Sequence, residues 1–344
     1  MRSSTLFRHT RAAVLGLAAF VALTFVVSPY SNLQLAQTAY LWCAAAGLTL
    51  LIGLGGIFSL GQGAFMAVGA YTAALLLQDQ RWPLAAVLGA STLAAAVLGL
   101  LMAAVCSRLQ GPYAAAVTLT LAVAVPSLAE IGALDQVLQG DNGVTVSLPT
   151  PPDILGHHIP VERWQAWICA LCAAIVMWVL ANLRTSRYGR DLRAAADDEP
   201  AAALCGIHAA RAQFLAFTLT AGAAGVAGAL LAWVTSLAAP SSFTLTLSLL
   251  LLAAVVVGGQ GSLTGALWGS LLLVLVPDWA SSLHSATGLP SDVTDNLPAA
   301  VFAIALIAVI SVFPAGLQGA LARLTLRARG LLVRTTRESR GNQR

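Results

Sequence analysis

Long apolar runs follow one another along almost the whole chain, and they limit its possible folds more than any motif does. Most approach the ~20 residues that an α-helix needs to cross the hydrocarbon core of a bilayer, while two are clearly shorter and could be re-entrant. Backbone groups in lipid must pair within their own segment, so each run is expected to be helical. The runs are residues 12–27, 35–54, 57–77, 84–106, 112–129, 164–183, 212–238, 244–258, 263–279 and 297–313. The sequence therefore predicts an all-α integral membrane protein with about ten transmembrane helices in one membrane domain, residues 12–317.

Composition agrees with this class and excludes others. Charged residues make up 9% of the chain, against about 25% in soluble domains, and hydrophobic residues make up 58%. The net charge of +4 does not indicate nucleic-acid binding, because the arginines cluster in particular loops and in the tail. Lysine is absent, although a phosphate-binding loop of the G-x-x-x-x-G-K type requires it. We therefore expect no ATP site and no other cofactor on this chain.

Arginine is distributed unequally between the two sides of the predicted helices. If the N-terminus is cytoplasmic, residues 1–11, the loop 184–211 and the basic tail 318–344 share one side. The long loop 130–163, with several acidic residues, falls on the other. Positive charge favours the cytoplasmic side, so the sequence predicts N-in and C-in. The run 12–27 could also be a secretory signal, but no small-x-small cleavage site follows closely, which favours a retained first helix.

The loop 184–211 is the one long polar segment between apolar runs. Its acidic residues precede an Ala-rich stretch, where the macrodipole at a helix start favours negative charge. Pro200 suits a first helical turn and Gly206 suits a C-terminal cap. Four arginines open the loop and an acidic cluster follows: Arg184, Arg187, Arg190 and Arg193, then Asp197, Asp198 and Glu199. This order predicts a short amphipathic docking helix, with a solvated loop that obeys the positive-inside rule as the alternative.

Glycine is dense in residues 53–65, which also contain Ser59 and Gln62. Such a stretch is poor helix material, and irregular backbone at membrane depth is tolerated only where protein or a water-filled cavity satisfies it. We therefore predict that it lines a path through the protein. Its G-G-x-x-S-L pattern recurs from Gly258. Two further sets of glycines at helical spacing predict close helix packing: Gly222, Gly225 and Gly228, and Gly261, Gly265 and Gly269.

Several kinds of chemistry are disfavoured by what the predicted helices contain. No Asp, Glu, Lys, Arg or His falls clearly inside them, although ion-coupled carriers place such groups there. No nucleophile, base and orienting group can be assembled, which argues against an intramembrane enzyme. Cys169 and Cys172 have no further ligand nearby, so packing is expected for them, and His157 and His158 are expected to be solvated loop residues.

Five stretches, in a fixed order along most of the chain, resemble the signatures of the membrane permease subunits of branched-chain amino acid ABC importers. They are residues 55–73 (GGIFSLGQGAFMAVGAYTA), 111–119 (GPYAAAVTL), 186–217, 240–243 (PSSF) and 257–265 (VGGQGSLTG), and the tail motif 313–317 (FPAGL) closes the series. The chain is more similar to the M type than to the H type of these subunits. The resemblance implies an ABC importer permease fold in the bacterial inner membrane, and inward transport by alternating access driven by ATP.

The resemblance also implies partners and site residues. The partners are a second permease subunit of H type, two ATPase subunits that bind the ATP, and a periplasmic substrate-binding protein. Pro200 and Gln260 depart from the usual pattern. The residues expected to line the path are Ser59, Gly61, Gln62, Gly63, Tyr71 and Thr118, and those expected to couple to the ATPase are Arg190, Asp198, Glu199, Ala202, Leu204 and Gly206. Urea and short-amide importers share these signatures and remain an alternative, as does a stand-alone secondary carrier.

Overall fold

The computed structural model describes residues 2–78, 82–109, 113–129, 131–132, 138–146, 160–287, 303–304, 307, 311 and 316–320. In these residues the chain consists mainly of α-helices joined by short turns. The helices are α1 (Arg2–Val26), α2 (Pro29–Gly55), α3 (Gln62–Gln78), α4 (Leu84–Cys106), α5 (Tyr113–Leu128), α6 (Val161–Thr185), α7 (Arg187–Asp197), α8 (Glu199–Leu204), α9 (Ala209–Thr235), α10 (Leu245–Gly258) and α11 (Leu263–Thr287).

Six segments within the described residues are long and apolar enough to cross a bilayer. They are Phe7–Val26, Pro29–Gly55, Leu84–Cys106, Val161–Thr185, Ala209–Thr235 and Pro240–Gly258. Two shorter apolar helices accompany them, Tyr113–Leu128 and Leu263–Trp279. The chain is therefore an all-α, multi-pass membrane protein, as the apolar runs predict.

The helix bounds differ from the predicted ones in an informative way. Helix α4 has the predicted bounds. Helix α3 begins at Gln62 rather than at residue 57, because the glycine-rich stretch before it is not helical. Helix α1 begins at Arg2, so residues 2–11, predicted as a tail, form its first turns. The predicted helix 297–313 and tail 318–344 lie mostly outside the described residues.

Helices α2 and α9 form the centre of the molecule. Of their most apolar windows, 83% and 72% of residues are buried, against 6% for α1. Helix α9 packs mainly on α4, α3 and α2, while α2 also packs on α6 and α11. Helix α1 lies at the periphery and packs mainly on α6. The core is thus a layer of helices around α2 and α9, with α1 added outside.

Small residues let the central helices approach closely, as their spacing predicts. A Cβ on Gly69 of α3 would overlap the backbone of Gly225 of α9, and one on Gly265 of α11 would overlap the backbone of Gly258 of α10. Where backbones come this near, only a hydrogen atom fits between them. The glycines within α9 and α11 therefore serve helix packing. Gly261, predicted in one set with Gly265 and Gly269, lies before α11 with a positive φ of 78° and is not part of that helix.

The described part of the loop 130–163 is anchored to the end of α9. Strand β1 (Val144–Thr145) pairs antiparallel with strand β2 (Leu237–Ala238), and a 3₁₀ turn at Gly140–Asn142 precedes β1. The N–H of Val146 donates to the carbonyl of Ser236 at 2.9 Å and extends the pairing. This pairing was not predicted from the sequence, since two-residue strands show no alternation of apolar and polar residues.

Candidate functional site

An irregular segment separates α2 from α3 at the glycine-rich stretch. Gly56, which follows α2, has a left-handed φ of 62°, and its N–H donates to the carbonyl of Ile52 at 3.0 Å. A residue with a Cβ is disfavoured in this conformation by about 1–2 kcal/mol, so glycine suits the position. Residues 57–61 are not helical, and α3 starts at Gln62. The irregular backbone expected from the sequence is therefore present; we call residues 56–61 the break.

Three hydroxyl groups satisfy backbone N–H groups at the break and at the start of α3. Ser59 lies in the break, Thr118 on α5 and Ser248 on α10. The N–H of Leu60 donates to Thr118 Oγ1 at 3.0 Å, that of Gly61 to Ser59 Oγ at 3.4 Å, and that of Gly63 to Ser248 Oγ at 2.9 Å. These bonds replace the helical ones that irregular backbone lacks inside a membrane. Sequence reasoning missed Ser248, whose only signal is a hydroxyl within an apolar run.

Two glycines make room for these hydroxyl-bearing residues. A Cβ on Gly61 would lie 3.1 Å from the carbonyl oxygen of Thr118, and one on Gly63 would lie 2.8 Å from Ser248 Oγ. The first distance is tight, and the second requires the serine to move. Gly61 and Gly63 therefore bring the break, α5 and α10 together.

Gln62 is a completely buried amide at the first turn of α3. Its Nε2 donates to the carbonyl of Ala44 on α2 at 2.8 Å. Its Oε1 has no hydrogen-bond partner among the described residues. A buried unpaired acceptor costs about 1–3 kcal/mol, so such a group calls for an explanation, such as a ligand or a second conformation.

Tyr71 lies further along α3 than the other predicted path residues. Its ring centroid is 6.3 Å from that of Phe243, in the 3₁₀ turn Pro240–Phe243 that precedes α10. The structure thus brings five of the predicted path residues together, and Tyr71 lies further along α3. All six are buried: Ser59, Gly61, Gln62, Gly63, Tyr71 and Thr118. The cluster is therefore closed to solvent in this conformation.

The polar segment after α6 folds into two short helices. Asp198 ends α7 and is the N-cap of α8, where its Oδ1 accepts from the N–H of Ala201 at 2.9 Å. Gly206 ends α8 with a φ of 78°. The N–H of Gly206 donates to Ala203 and that of Ile207 to Ala202, at 2.9 and 3.1 Å, which is the pattern of a Schellman cap. Asp198 and Gly206 therefore define the two ends of α8.

The contacts of α8 divide the predicted coupling residues into two groups. Leu204 is 91% exposed, and Glu199 is also exposed in the first turn. Ala202 is only 5% exposed and faces the protein itself. Ala202 is therefore buried while Leu204 is exposed, so the two do not share one outer apolar face in this conformation. Arg190 is exposed on α7 and donates from Nη1 to the carbonyl of Thr185 at 3.2 Å.

Helix α7 connects this segment to the break. Its buried face includes Gly189 and Leu192, and the helix packs on α2, α6 and α9. A Cβ on Gly55 would lie 3.5 Å from Leu192 Cδ1, and one on Gly56 would lie 3.5 Å from Cβ of Ala196. The apolar face of α7 therefore rests directly on the end of α2, where the break begins.

The described residues contain no candidate metal site. Among them, no group of three or more His, Cys, Asp and Glu side chains could hold a metal ion. Cys169 is buried and Cys172 half-buried within α6, both as free thiols, which agrees with a packing role for the C-x-x-C spacing. His157 and His158 lie outside the described residues.

Comparison with known proteins gives a consistent result. The family described as "Branched-chain amino acid transport system / permease component" matches residues 32–310. The chain is 31% identical over 251 residues to the high-affinity branched-chain amino acid transport system permease protein LivM of Escherichia coli, a match that covers 67% of this chain and 58% of that protein. It is 30% identical over 277 residues to LivM of Salmonella typhimurium, covering 74% and 64%.

A second kind of relative matches a shorter part of the chain. It is the high-affinity branched-chain amino acid transport system permease protein LivH of Escherichia coli, 31% identical over 180 residues, covering 48% of this chain and 52% of that protein. The chain thus aligns with less than two thirds of the length of each of these relatives. No solved structure matches it.

Proposed function

The chain belongs to the family of branched-chain amino acid transport system permease components, and on this premise we propose that it is the transmembrane subunit of an ATP-driven importer of branched-chain amino acids. One observation supports the mechanism in particular. The exposed helix α8 is joined to α7, which rests on the end of α2 at Gly55 through Leu192 and on the first residue of the break, Gly56, through Ala196. A push on α8 can therefore reach the break through packed side chains.

The path is proposed to run along the break and the first turns of α3. Gln62 Oε1 supplies a hydrogen-bond acceptor with no partner among the described residues, which suits the ammonium group of an amino acid. Tyr71 and Phe243 supply an apolar wall above it, which suits a hydrophobic side chain. Because these residues are buried, the substrate would meet them only after the helices have moved apart.

The energy for this movement is proposed to come from ATP hydrolysed by separate subunits, so this chain is not itself an enzyme. The chain contains no lysine for a phosphate-binding loop of the usual type. Tighter binding of ATP to a closed ATPase dimer would favour one of two permease conformations, and a ligand can shift such an equilibrium only by its difference in affinity. Alternating access would follow from that shift.

Helix α8 is the proposed docking element for an ATPase subunit. Its cap residues Asp198 and Gly206 fix its ends, and Leu204 presents an almost fully exposed apolar side chain. An apolar anchor surrounded by charge is typical of the centre of a protein interface. Glu199 and Arg190 would lie at its rim, where charges affect the rate of association more than the affinity.

The assembly and its orientation are also proposals. The partners are a second permease of H type, two ATPase subunits and a periplasmic substrate-binding protein, in the bacterial inner membrane. The matches to both LivM and LivH support a two-permease system. The arginine distribution supports N-in and C-in with about ten helices, in which residues 184–211 and 318–344 are cytoplasmic and residues 130–163 are external.

Transport in proteoliposomes tests this function against its two rivals, a urea or short-amide permease and a stand-alone carrier. The chain is reconstituted with its H-type partner, the ATPase subunits and the binding protein, and uptake of radiolabelled leucine, urea and acetamide is measured. Uptake of leucine only, and only with ATP and ATPase subunits, is expected. Leucine uptake by the chain alone would indicate a carrier, and uptake of urea in place of leucine would reassign the substrate.

A further inference from the structure

A cavity lies between the peripheral helix α1 and the central helix α2, away from the predicted path residues. Its volume is about 440 Å³, and it is enclosed by α1, α2, α6 and α11. Its walls are almost entirely apolar, with Leu17, Phe20, Trp42 and Met177 among the larger lining side chains. None of the predicted path residues lines it. It is therefore a separate space from the proposed path.

Polar contacts at both ends hold α1 against α6 across this cavity. At one end Nε1 of Trp167 donates to Oγ1 of Thr24 at 2.9 Å. At the other end Nδ1 of His9 donates to Oδ1 of Asn182 at 3.0 Å, and Trp178 Nε1 donates to Thr10 Oγ1 at 3.1 Å. Hydrogen bonds therefore hold α1 and α6 together at both ends of the cavity, and the space between them belongs to the folded helix pair.

Gly16, in the middle of α1, has no side chain to fill the cavity. Gly16 lines it, and a Cβ built on Gly16 would meet no atom within 4 Å. This differs from Gly69, Gly228 and Gly269, where a Cβ would overlap the backbone of a neighbouring helix. An apolar cavity of this volume at the periphery of a membrane protein would be filled most favourably by an apolar chain.

The two ends of the cavity differ in charge. His9 and Arg184 line one end, where α1 begins and α6 ends. Arg8 and Arg11 lie beside His9 on the exposed side of α1. Basic pockets between transmembrane helices recognise anionic lipid headgroups, each basic residue near the surface contributing about 1 kcal/mol. This end is therefore suited to a phosphate group.

The length of the cavity matches one leaflet of a bilayer. Along α1 its lining extends from His9 to Phe20, which is about 16 Å at the helical rise of 1.5 Å per residue. Half of the hydrocarbon core is about 15 Å thick. We propose that this cavity binds one anionic phospholipid of the bilayer, with an acyl chain between α1 and α11 and its phosphate at Arg184 and His9.

An amino acid substrate fits the same cavity less well. Its lining includes the cation Arg184 but, among the described residues, no carboxylate that could pair with an ammonium group. A buried charge without a partner is strongly disfavoured. The observations therefore favour a ligand with negative charge at one end and hydrocarbon along its length.

Photo-crosslinking tests the proposal with the full chain in lipid nanodiscs. The probe is phosphatidylglycerol with a diazirine in one acyl chain, and the crosslinked peptides are identified by mass spectrometry. Crosslinks are expected on peptides from α1 and α6 that contain residues 9–20 or 170–184. Phosphatidylcholine with the same diazirine should give at least fivefold fewer of them, and excess leucine should not compete.

Two pairs of variants make the test specific. Gly16→Leu places a side chain in the cavity from a Cβ that meets no atom within 4 Å, and it should reduce these crosslinks at least fivefold. Gly89→Leu, whose Cβ also meets no atom within 4 Å but which lies on α4, should not. Arg184→Gln should weaken binding of phosphatidylglycerol by roughly fivefold, the effect of one basic residue near an anionic surface. Arg108→Gln, at an exposed position after α4, is its control. Unchanged crosslinking in Gly16→Leu, equal crosslinking of the two lipids, or competition by leucine would overturn the proposal.

Discussion

Leu192 of α7 packs against Gly55, the last residue of α2, with its Cδ1 3.5 Å from where a Cβ on that glycine would stand. Leu192 is 3% exposed, so this contact belongs to the interior of the protein. The contact links α7, in the polar segment, to the end of α2, where the break begins. The two predicted functional regions are therefore in physical contact, which their separation along the chain does not reveal.

Leu192→Ala is expected to uncouple the two regions. Removing a buried leucine side chain costs about 2–5 kcal/mol, here at the junction between α7 and α2. The variant should insert in the membrane and bind the ATPase subunits, but leucine transported per ATP hydrolysed should fall at least fivefold. Coupled uptake and ATPase assays in proteoliposomes measure this ratio. An unchanged ratio would show that the contact does not transmit motion.

Leu204→Ala provides the contrasting case on α8. Because Leu204 is 91% exposed, its removal should change the free energy of unfolding by no more than about 0.5 kcal/mol. If the leucine is an interface anchor, binding to the ATPase subunits should weaken by more than about 1 kcal/mol. Thermal unfolding and pull-down titration separate the two effects. Wild-type affinity in this variant would remove Leu204 from the proposed interface.

The cap at Gly206 gives a test of backbone conformation alone. No atom lies within 4 Å of a Cβ built there, so only the positive φ of 78° restricts the residue. Gly206→Val should misdirect the chain after α8, since β-branched residues are rarely found at positive φ, and should abolish substrate-stimulated ATPase activity. Gly206→Asn should retain most of that activity, because asparagine tolerates this conformation. Equal activity in both variants would contradict a role for the cap.

Gln62→Leu tests the predicted path. If Gln62 only fills space, leucine should be tolerated, because an apolar side chain also removes a buried unpaired oxygen. If its amide meets the substrate, uptake should fall at least tenfold while the complex stays assembled. Ser91→Ala is a suitable control, since Ser91 Oγ is also buried without a partner among the described residues but lies on α4. Retained uptake in Gln62→Leu would assign this residue to packing.

Cysteine labelling tests the proposed orientation. Cys205 is exposed at the end of α8, whereas Cys43, Cys106 and Cys169 are buried. A membrane-impermeant maleimide added outside spheroplasts should leave Cys205 unlabelled and should label a cysteine introduced as Asn142→Cys in the external loop. Labelling of Cys205 in intact spheroplasts would reverse the topology.

The sequence was most informative where hydrophobicity changes sharply. Helix α4 has its predicted bounds because Pro83 precedes it and polar residues follow Cys106. The start of α3 was misplaced because Ile57 and Phe58 are apolar although their backbone is not helical. Pro200 in the first turn of α8 and Gly206 at its C-terminal cap were predicted, since both act locally through backbone geometry.

Contacts between distant segments could not be predicted in the same way. Ser248 carries no local mark of its bond to Gly63, and Ala202 does not differ in type from its exposed neighbours. The pairing of β1 with β2 likewise depends on where α9 ends in space. Composition and residue spacing predict the helices and where they begin and end. The site depends on which helices pack together in the folded protein.

Gly53, in the last turn of α2, lies against Gly261, in the turn between α10 and α11, and the two positions require glycine for different reasons. A Cβ on Gly53 would overlap the backbone of Gly261, while Gly261 has room for a Cβ but a φ of 78°. Asparagine could replace Gly261, because asparagine is one of the few residues that adopt a positive φ. No other residue fits at Gly53, since any Cβ there would force α2 away from the turn that contains Gly261. In related sequences, position 261 can therefore vary between glycine and asparagine, whereas position 53 is restricted to glycine.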